Sequence, residues 1–246
     1  MEIQQKKQFN QNFFNFMDKN KKTINQLEEY KLYSFFYFAP IKNIESIVKF
    51  GILSKNDICE KKIKNCSFAN EEVQNRRSKK FIMLNNKQEI NIHNTVPIYL
   101  KTKTPTFYSP SINQKDMVFM VIDAQKLLID SNIAYAFCDG NAASINTNFY
   151  NNLDDLNKLP WDVLENIDRY WNYPDGKRKG NAEFLIYPSI SLPSIENFVV
   201  FDEDAEKKLK NFLNTFPNNI SITIDKDFSF FNEILPFNSS DFLDNK

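Results

Sequence analysis

The sequence predicts an α+β domain built on a mostly antiparallel sheet. Three observations carry this. Short apolar runs rich in β-branched and aromatic residues outnumber helical patterns. Strands and helices do not alternate in the strict order of a parallel βαβ sheet. No stretch rich in Gly, Pro or Ser divides the 246 residues, so one domain spanning 32–246 is expected, preceded by a helical N-terminal extension over 1–31.

The elements follow in chain order. Residues 1–31 are rich in Asn, Lys and Gln, with Phe13, Phe14, Phe16, Met17, Ile24 and Leu27 spaced for one or two packed helices. "KLYSFFYFAP" is an aromatic strand stopped by Pro40. "IKNIESIVKFGIL" sets Ile41, Ile44, Ile47 and Val48 on one helical face and puts Gly51 where a helix end needs φ > 0. "SFANEEVQNRRSKKFI" reads as a polar helix entering a basic turn, and "TVPIYLKT" as a short strand before the loop "KTPTFYSPS". "DMVFMVIDA" is a buried strand, "QKLLIDSN" a helical turn, and "AYAFC" leads into an Asp-Gly turn at 139–140. "NLDDLNKLPWDVLENIDRYW" is expected to be helical around Pro160. "AEFLIYPSI" and "ENFVVFD" are strands, "AEKKLKNFL" a helix, and "ISITIDKDFSFF" a closing strand.

Composition removes several classes of function. The formal net charge is zero, which argues against coating nucleic acid by bulk electrostatics but leaves room for a local basic groove. Basic residues cluster at 61–64, 76–80, 101–103 and 177–179. One histidine and three cysteines without a CxxC pair make a zinc site or a disulfide framework unexpected, and scattered thiols suit a reducing cytoplasm. Four glycines cannot supply a GxGxxG or Walker loop. The start is polar and no apolar run is long enough for a membrane helix, so neither a secretory signal nor a membrane association is expected.

Three of the four glycines fall between 140 and 180, where tight turns or close approach to a ligand would require them. A turn exposing Asn141, Ser144 and Thr147 precedes one helical segment, and the basic loop "KRKGN" delivers Glu183 onto a strand. The ordinary fate of such a glutamate is a solvated strand edge. A substrate loop bordering a strand-mounted carboxylate is the other.

These segments resemble the DarT toxins, DNA ADP-ribosyltransferases of bacterial toxin–antitoxin and antiphage systems. "DGNAAS" at 139–144, "LPWDVLENIDRYW", "RKGNAEFLIYPSI", "VPIYLKTKTPTFY", "EEVQNRRSKK" and "NIESIVKFGILS" match the family in order and spacing. Lys103 stands where an Arg is usual. The resemblance implies an ADP-ribosyltransferase fold, a split β-sandwich with flanking helices and NAD in the cleft. The reaction breaks the nicotinamide–ribose bond and joins the ribose to a base of single-stranded DNA, thymine or, in a related branch, guanine. NAD is then a co-substrate, no metal is needed, and a macrodomain-type antitoxin is the cognate partner.

By resemblance Glu183 is catalytic. Cleavage leaves a cationic sugar, and a carboxylate holding the ribose 2′-OH stabilises that charge where water is excluded. Arg77 is the implied partner, near the NAD phosphates and the acceptor base, with Arg76 as its alternative; a guanidinium suits a pyrophosphate. Tyr99 matches an aromatic that stacks near nicotinamide. Asn141, Ser144 and Thr147 fall in the implied substrate loop. Lys101, Lys103, Lys177, Arg178 and Lys179 are candidates for DNA phosphates. The family's first-strand His, which holds the NAD ribose, is missing; Tyr37 or Ser34 occupies its place. His93 matches a histidine common before the "VP" strand, and a structural hydrogen bond is expected of it. Two other readings remain: the same chemistry on an RNA or protein acceptor, and a degenerate module that binds NAD or nucleic acid without turnover.

Overall fold

A computed structural model describes residue 18 and residues 20–67, 70–109, 112–166, 170–213 and 220–232. Its centre is an eight-stranded sheet. In spatial order the strands are β12 (Ser221–Ile224), β11 (Ile195–Val200), β6 (Met117–Asp123), β1 (Ser34–Pro40), β5 (Val96–Tyr99), β9 (Glu183–Tyr187), β7 (Ala134–Cys138) and β8 (Phe149–Tyr150). Every neighbouring pair is antiparallel except β11 with β12. The first strand is apolar and aromatic, and it pairs with β6 over its whole length, from Ser34↔Asp123 to Pro40↔Met117. On its other side it meets β5 through a single pair, Phe36↔Tyr99. The expected split therefore takes the form of one sheet whose halves part between β1 and β5.

Short elements close the faces. The strand β2 (Ile52–Leu53) pairs with β10 (Ser189–Ile190), and β3 (Phe81–Met83) forms a hairpin with β4 (Glu89–Asn91). The helices are α1 (residues 20–29), α2 (Ile44–Phe50), α3 (Lys55–Glu60), α4 (Glu71–Arg77), α5 (Ala124–Ile129), α6 (Trp161–Leu164), α7 (Gly176–Lys179) and α8 (Glu203–Leu213). Helix α1 buries Leu27 in the main core; Phe13, Phe14, Phe16 and Met17 lie outside the described residues. Gly51 ends α2 with φ 78° and bonds its N–H to the Ile47 carbonyl at 2.8 Å. A Cβ there would stand 2.5 Å from the Ile190 carbonyl oxygen, so β2 reaches β10 only with glycine at this position.

Three apolar clusters fix the sheet. The largest lies on one face and includes Phe35, Val96, Ile98, Phe137, Phe184 and Ile186. The Phe35 and Phe184 rings are 4.7 Å apart, and Phe137 stacks on Phe184 at 4.8 Å. Full burial of each such ring stabilises the fold by roughly 1.5–3 kcal/mol, so β9 rests on a rigid floor. A second cluster seats the β3–β4 hairpin, through Ile82 and Ile90, on the small residues Ala134, Ala136, Cys138 and Ala142. A third is aromatic, with Phe38, Phe107, Phe119 and Phe231.

Two expected elements come out differently. The helical stretch around Pro160 is broken into a 3-10 helix at Leu153–Lys158 and the single turn α6. Proline disfavours helical geometry in the residue before it, and Leu159 is extended at φ −70°, ψ 148°. The closing strand is limited to β12, because Asp225 turns the chain by accepting N–H bonds from Ser229, Phe230 and Phe231 at 3.0, 3.0 and 2.7 Å.

Candidate active site

Beyond the Phe36↔Tyr99 pair the strands β1 and β5 diverge. The gap between Tyr37–Pro40 and Thr95–Pro97 opens into a cleft of about 1240 Å³. That exceeds the roughly 300–1,000 Å³ of a site for a drug-sized ligand, which leaves room for a dinucleotide. Glu183 lies at the sheet end of this cleft. As the first residue of β9 it is level with Tyr99 on one side and Cys138 on the other, so all three share one row and one face of the sheet.

The Glu183 carboxylate is buried, with the residue 2% exposed. Nη1 of Arg77 donates to both its oxygens, at 3.0 and 3.2 Å. The Ala142 N–H donates to Oε1 at 2.9 Å. Helix α4 positions the arginine. Asn70 caps it by accepting from the N–H groups of Glu72 and Val73, Glu71 and Glu72 occupy its first turn, and Arg76 and Arg77 its last, each favourable against the helix dipole. Burial opposes the Arg77 charge, but Glu183 outweighs it and holds the guanidinium above its ordinary pKa. Arg76 points elsewhere, toward Glu72 at 3.8 Å, with its side chain 56% exposed.

The loop that supplies Ala142 is held by Arg178. Its Nη1 lies 2.7 Å from Oδ1 of Asp139 and 3.3 Å from Oγ1 of Thr147, and its Nε meets Asp175. Its carbonyl accepts the Asn141 N–H at 2.9 Å. Thr147 in turn donates to the Asn141 carbonyl at 2.7 Å, and Asn148 closes the loop on Asp139 through its N–H and its side chain, both at 3.0 Å. The guanidinium passes so close over Gly140 that a Cβ there would stand 2.5 Å from Nη1.

Of the residues picked out in the sequence, Tyr37, Arg77, His93, Tyr99, Asn141 and Glu183 line this one cleft. Burial pushes the Tyr37 hydroxyl up to about 12. Burial, then the Glu183 charge, raises Tyr99, whose hydroxyl hydrogen-bonds Thr106 and whose ring stacks on Phe38 at 5.5 Å. Ser34 begins β1, three residues before Tyr37, and is not in the cleft wall.

The expected DNA contacts fare differently. Thr147 and Arg178 are built into the loop. Lys103 is 9% exposed, and Lys101 is 4% exposed with Nζ donating to the carbonyls of Val163 and Asn166 at 3.2 and 2.9 Å. Ser144 is half-buried, and its carbonyl accepts from Lys80 Nζ. Lys177 borders the cleft from the exposed side of α7. His93 does not make the expected structural hydrogen bond through Nε2, which is buried without a partner. Burial, then the charges of Lys55 and Arg77, lower its pKa to about 4.

Sequence reading missed Ala142, Cys138 and Asn181. Ala142 acts through its backbone, which leaves no trace in residue type. Cys138 donates to the Gly140 carbonyl at 3.0 Å, and burial raises its pKa strongly. Oδ1 of Asn181 accepts from both the N–H and the hydroxyl of Thr106, at 3.0 and 2.8 Å, fixing the loop that meets Tyr99; its place two residues before Glu183 in "GNAEF" was the available signal. Among the described residues no group of three or more His, Cys, Asp or Glu could hold a metal ion, and no helix is long and apolar enough to cross a membrane.

A family model described as ssDNA thymidine ADP-ribosyltransferase, DarT, matches residues 36–231. A DNA ADP-ribosyl transferase of Thermus sp. (strain 2.9) is 22% identical over 190 residues, covering 74% of this chain and 88% of its own. A DNA ADP-ribosyl transferase–DNA ADP-ribosyl glycohydrolase fusion protein of Thermosipho africanus (strain H17ap60334) is 28% identical over 198 residues, 79% of this chain and 49% of the fusion. Two solved structures share the fold. Thermus sp. 2.9 DarT in complex with ADP-ribosylated ssDNA matches with a TM-score of 0.70 at 22% identity, covering 82% of this chain and 97% of that one. The same protein in complex with NAD+ matches at 0.68 and 19% identity, covering 82% and 98%.

Proposed function

The chain belongs to the DarT family of single-stranded DNA thymidine ADP-ribosyltransferases, and on that premise we propose that it transfers ADP-ribose from NAD to a base of single-stranded DNA, thymine being the acceptor that the family description names. One observation supports this reading most: a buried glutamate at the end of a dinucleotide-sized cleft, held by an arginine and a backbone N–H.

The chemistry follows from that placement. As the bond from nicotinamide to ribose C1 breaks, the ribose gains positive charge. The Glu183 carboxylate, accepting a hydrogen bond from the ribose 2′-OH, stabilises the charge most in a dry site. Nicotinamide leaves neutral. The acceptor atom of the base bonds to C1 and gives up its proton to solvent, so charge balances. Arg77 holds both carboxylate oxygens and keeps the Glu183 side chain oriented. Tyr37 presents a neutral hydroxyl to the cofactor ribose in place of an imidazole. Tyr99, fixed by Thr106 and Phe38, forms the wall beside nicotinamide. Asn141, on the cleft side of the 139–147 loop, meets the extruded base, and Arg178 keeps that loop in place. Base chemistry requires an unstacked base, so single strands are the acceptor and duplex a poor one. The working compartment is the cytoplasm, where NAD and reduced cysteines coexist. A macrodomain-type antitoxin reversing the modification is the matching partner; the Thermosipho fusion is named as a DNA ADP-ribosyl transferase joined to a DNA ADP-ribosyl glycohydrolase.

Mass spectrometry of DNA, RNA and protein after incubation with NAD tests this. A single-stranded oligonucleotide should gain one ADP-ribose, and duplex should gain far less. Labelling of RNA or protein instead would reassign the acceptor; no labelling of any of them would remove the transferase reading.

A further inference from the structure

Two chain segments touch the Glu183 carboxylate, one through Arg77 and one through the Ala142 N–H. Followed outward, both end within four residues on an exposed apolar side chain. Phe81, which opens β3, is 63% exposed, and Ile145, on the outer bend of the 139–147 loop, is 93% exposed. Met83, 46% exposed, joins Phe81 on the outward face of β3, because Ile82 between them turns into the core.

The two segments are stitched together. Lys80 Nζ donates to the Ser144 carbonyl and lies 5.5 Å from the Phe149 ring, and the Asn151 side chain donates to the carbonyl of Met83 at 3.2 Å. The approach is basic. Arg76 and Lys79 are exposed immediately before the hairpin, while Glu72 accompanies Arg76 and Glu89, opposite Met83, bounds the patch. Exposed apolar patches rimmed by polar groups mark interaction sites. An aromatic side chain with cations beside it suits a single strand, whose bases stack while its phosphates are neutralised, and apolar neighbours add contact area for the bases. The burial of Lys101 and Lys103, and the pairing of Arg178 with Asp139 and Asp175, move the phosphate contacts away from those residues and toward this edge.

We infer that Phe81, Met83 and Ile145 form a platform for the nucleotides flanking the acceptor base, with Arg76 and Lys79 on the adjoining phosphates. The inference rests on the reading of single-stranded DNA as acceptor and deepens it: the platform lies outside the cleft and contacts neighbours of the reacting base.

Fluorescence anisotropy without NAD tests it apart from transfer. The probes are a fluorescein-labelled thymidine trinucleotide and an oligothymidylate of about 12 nucleotides, within the usual span of single-strand sites. The longer probe should bind the wild-type chain more tightly than the trinucleotide. Phe81→Ser should weaken the longer probe about tenfold, the scale of one lost stacking contact, Ile145→Ser should weaken it several-fold through lost apolar contact, and both should weaken the trinucleotide much less. Lys79→Gln should reduce the slope of log affinity against log salt by about 0.7. Phe50→Ser, a change at an exposed ring outside the cleft wall, should bind as wild type does. Equal binding of the longer probe by wild type, Phe81→Ser and Ile145→Ser overturns the platform, as does wild-type affinity that ignores probe length or is absent for both. Length-dependent binding lost in those variants, in a protein that labels no DNA when NAD is added, would uphold the platform and strike the proposed function instead.

Discussion

One nitrogen of Arg77, Nη1, bridges both oxygens of Glu183, at 3.0 and 3.2 Å, across 106 residues of sequence. Both side chains are buried, at 10% and 3% exposure. Burying an ion pair is costly unless both members are present, and removing one member of such a pair costs about 3–5 kcal/mol. The same contact therefore supports the fold and fixes the carboxylate at the end of the cleft.

Glu183→Gln separates these roles. The amide oxygen can still accept from Ala142, while Arg77 loses its counter-charge. Urea unfolding should show a chain that folds with stability lowered by about 3 kcal/mol, the low end of that range because the amide still accepts from Ala142. Transfer by the folded variant should drop at least about 100-fold, the loss expected when a transition-state charge loses its stabilising group. Wild-type turnover would refute the catalytic assignment.

Tyr37→Phe should weaken NAD several-fold by calorimetry, the worth of one hydrogen bond at about 1 kcal/mol, with little change in melting temperature because the ring remains. With its hydroxyl pushed up to about 12, Tyr37 is neutral across physiological pH, so the effect should not vary between pH 6 and 9, a range whose upper end lies about three units below that value. Unchanged affinity would leave Tyr37 as packing alone.

Asp139 and Arg178 should behave as one unit. Asp139→Asn and Arg178→Gln, with the double variant, form a cycle in which contacting partners show a coupling of about 0.5–3 kcal/mol. Because the pair anchors the loop bearing Ala142, each single variant should slow transfer while NAD affinity holds. Additive losses, or transfer and NAD affinity falling together, would remove the positioning role.

His93 makes stability depend on pH. Its folded pKa is about 4, below the ordinary value of about 6.5. The unfolded chain therefore binds more protons between these values, and stability falls as pH drops from about 6.5 to about 4. His93→Gln should flatten the melting temperature over that window relative to wild type. An identical pH profile in the two proteins would show that His93 does not titrate this way.

Much of this was legible in residue order, and the exceptions share a cause. The strands β1, β5, β6, β9 and β11 were legible as short apolar runs, and Gly51 as a helix end. The pairing of Arg77 with Glu183 was implied only as two residues of one site, because no local pattern reports a contact across 106 positions. The lysines at 101 and 103 read as contacts for DNA phosphates, yet their burial depends on a loop packing that charge patterning does not encode. The β3–β4 hairpin escaped notice because each strand is only three residues long and buries a single side chain, Ile82 or Ile90.

The lone pairing of Phe36 with Tyr99 has a consequence for how the chain behaves among other chains. Past Phe36, β1 has no ladder partner on the β5 side. An unpaired strand edge at a surface invites another strand to add to it, the usual route to aggregation. Here the open edge faces inward, between two halves of one sheet, in a gap walled by side chains. A molecule the size of a nucleotide can enter and find unpaired backbone, whereas an intruding polypeptide strand would have to thread the gap. The protein keeps a sheet edge available to its small ligand while withholding it from its neighbours.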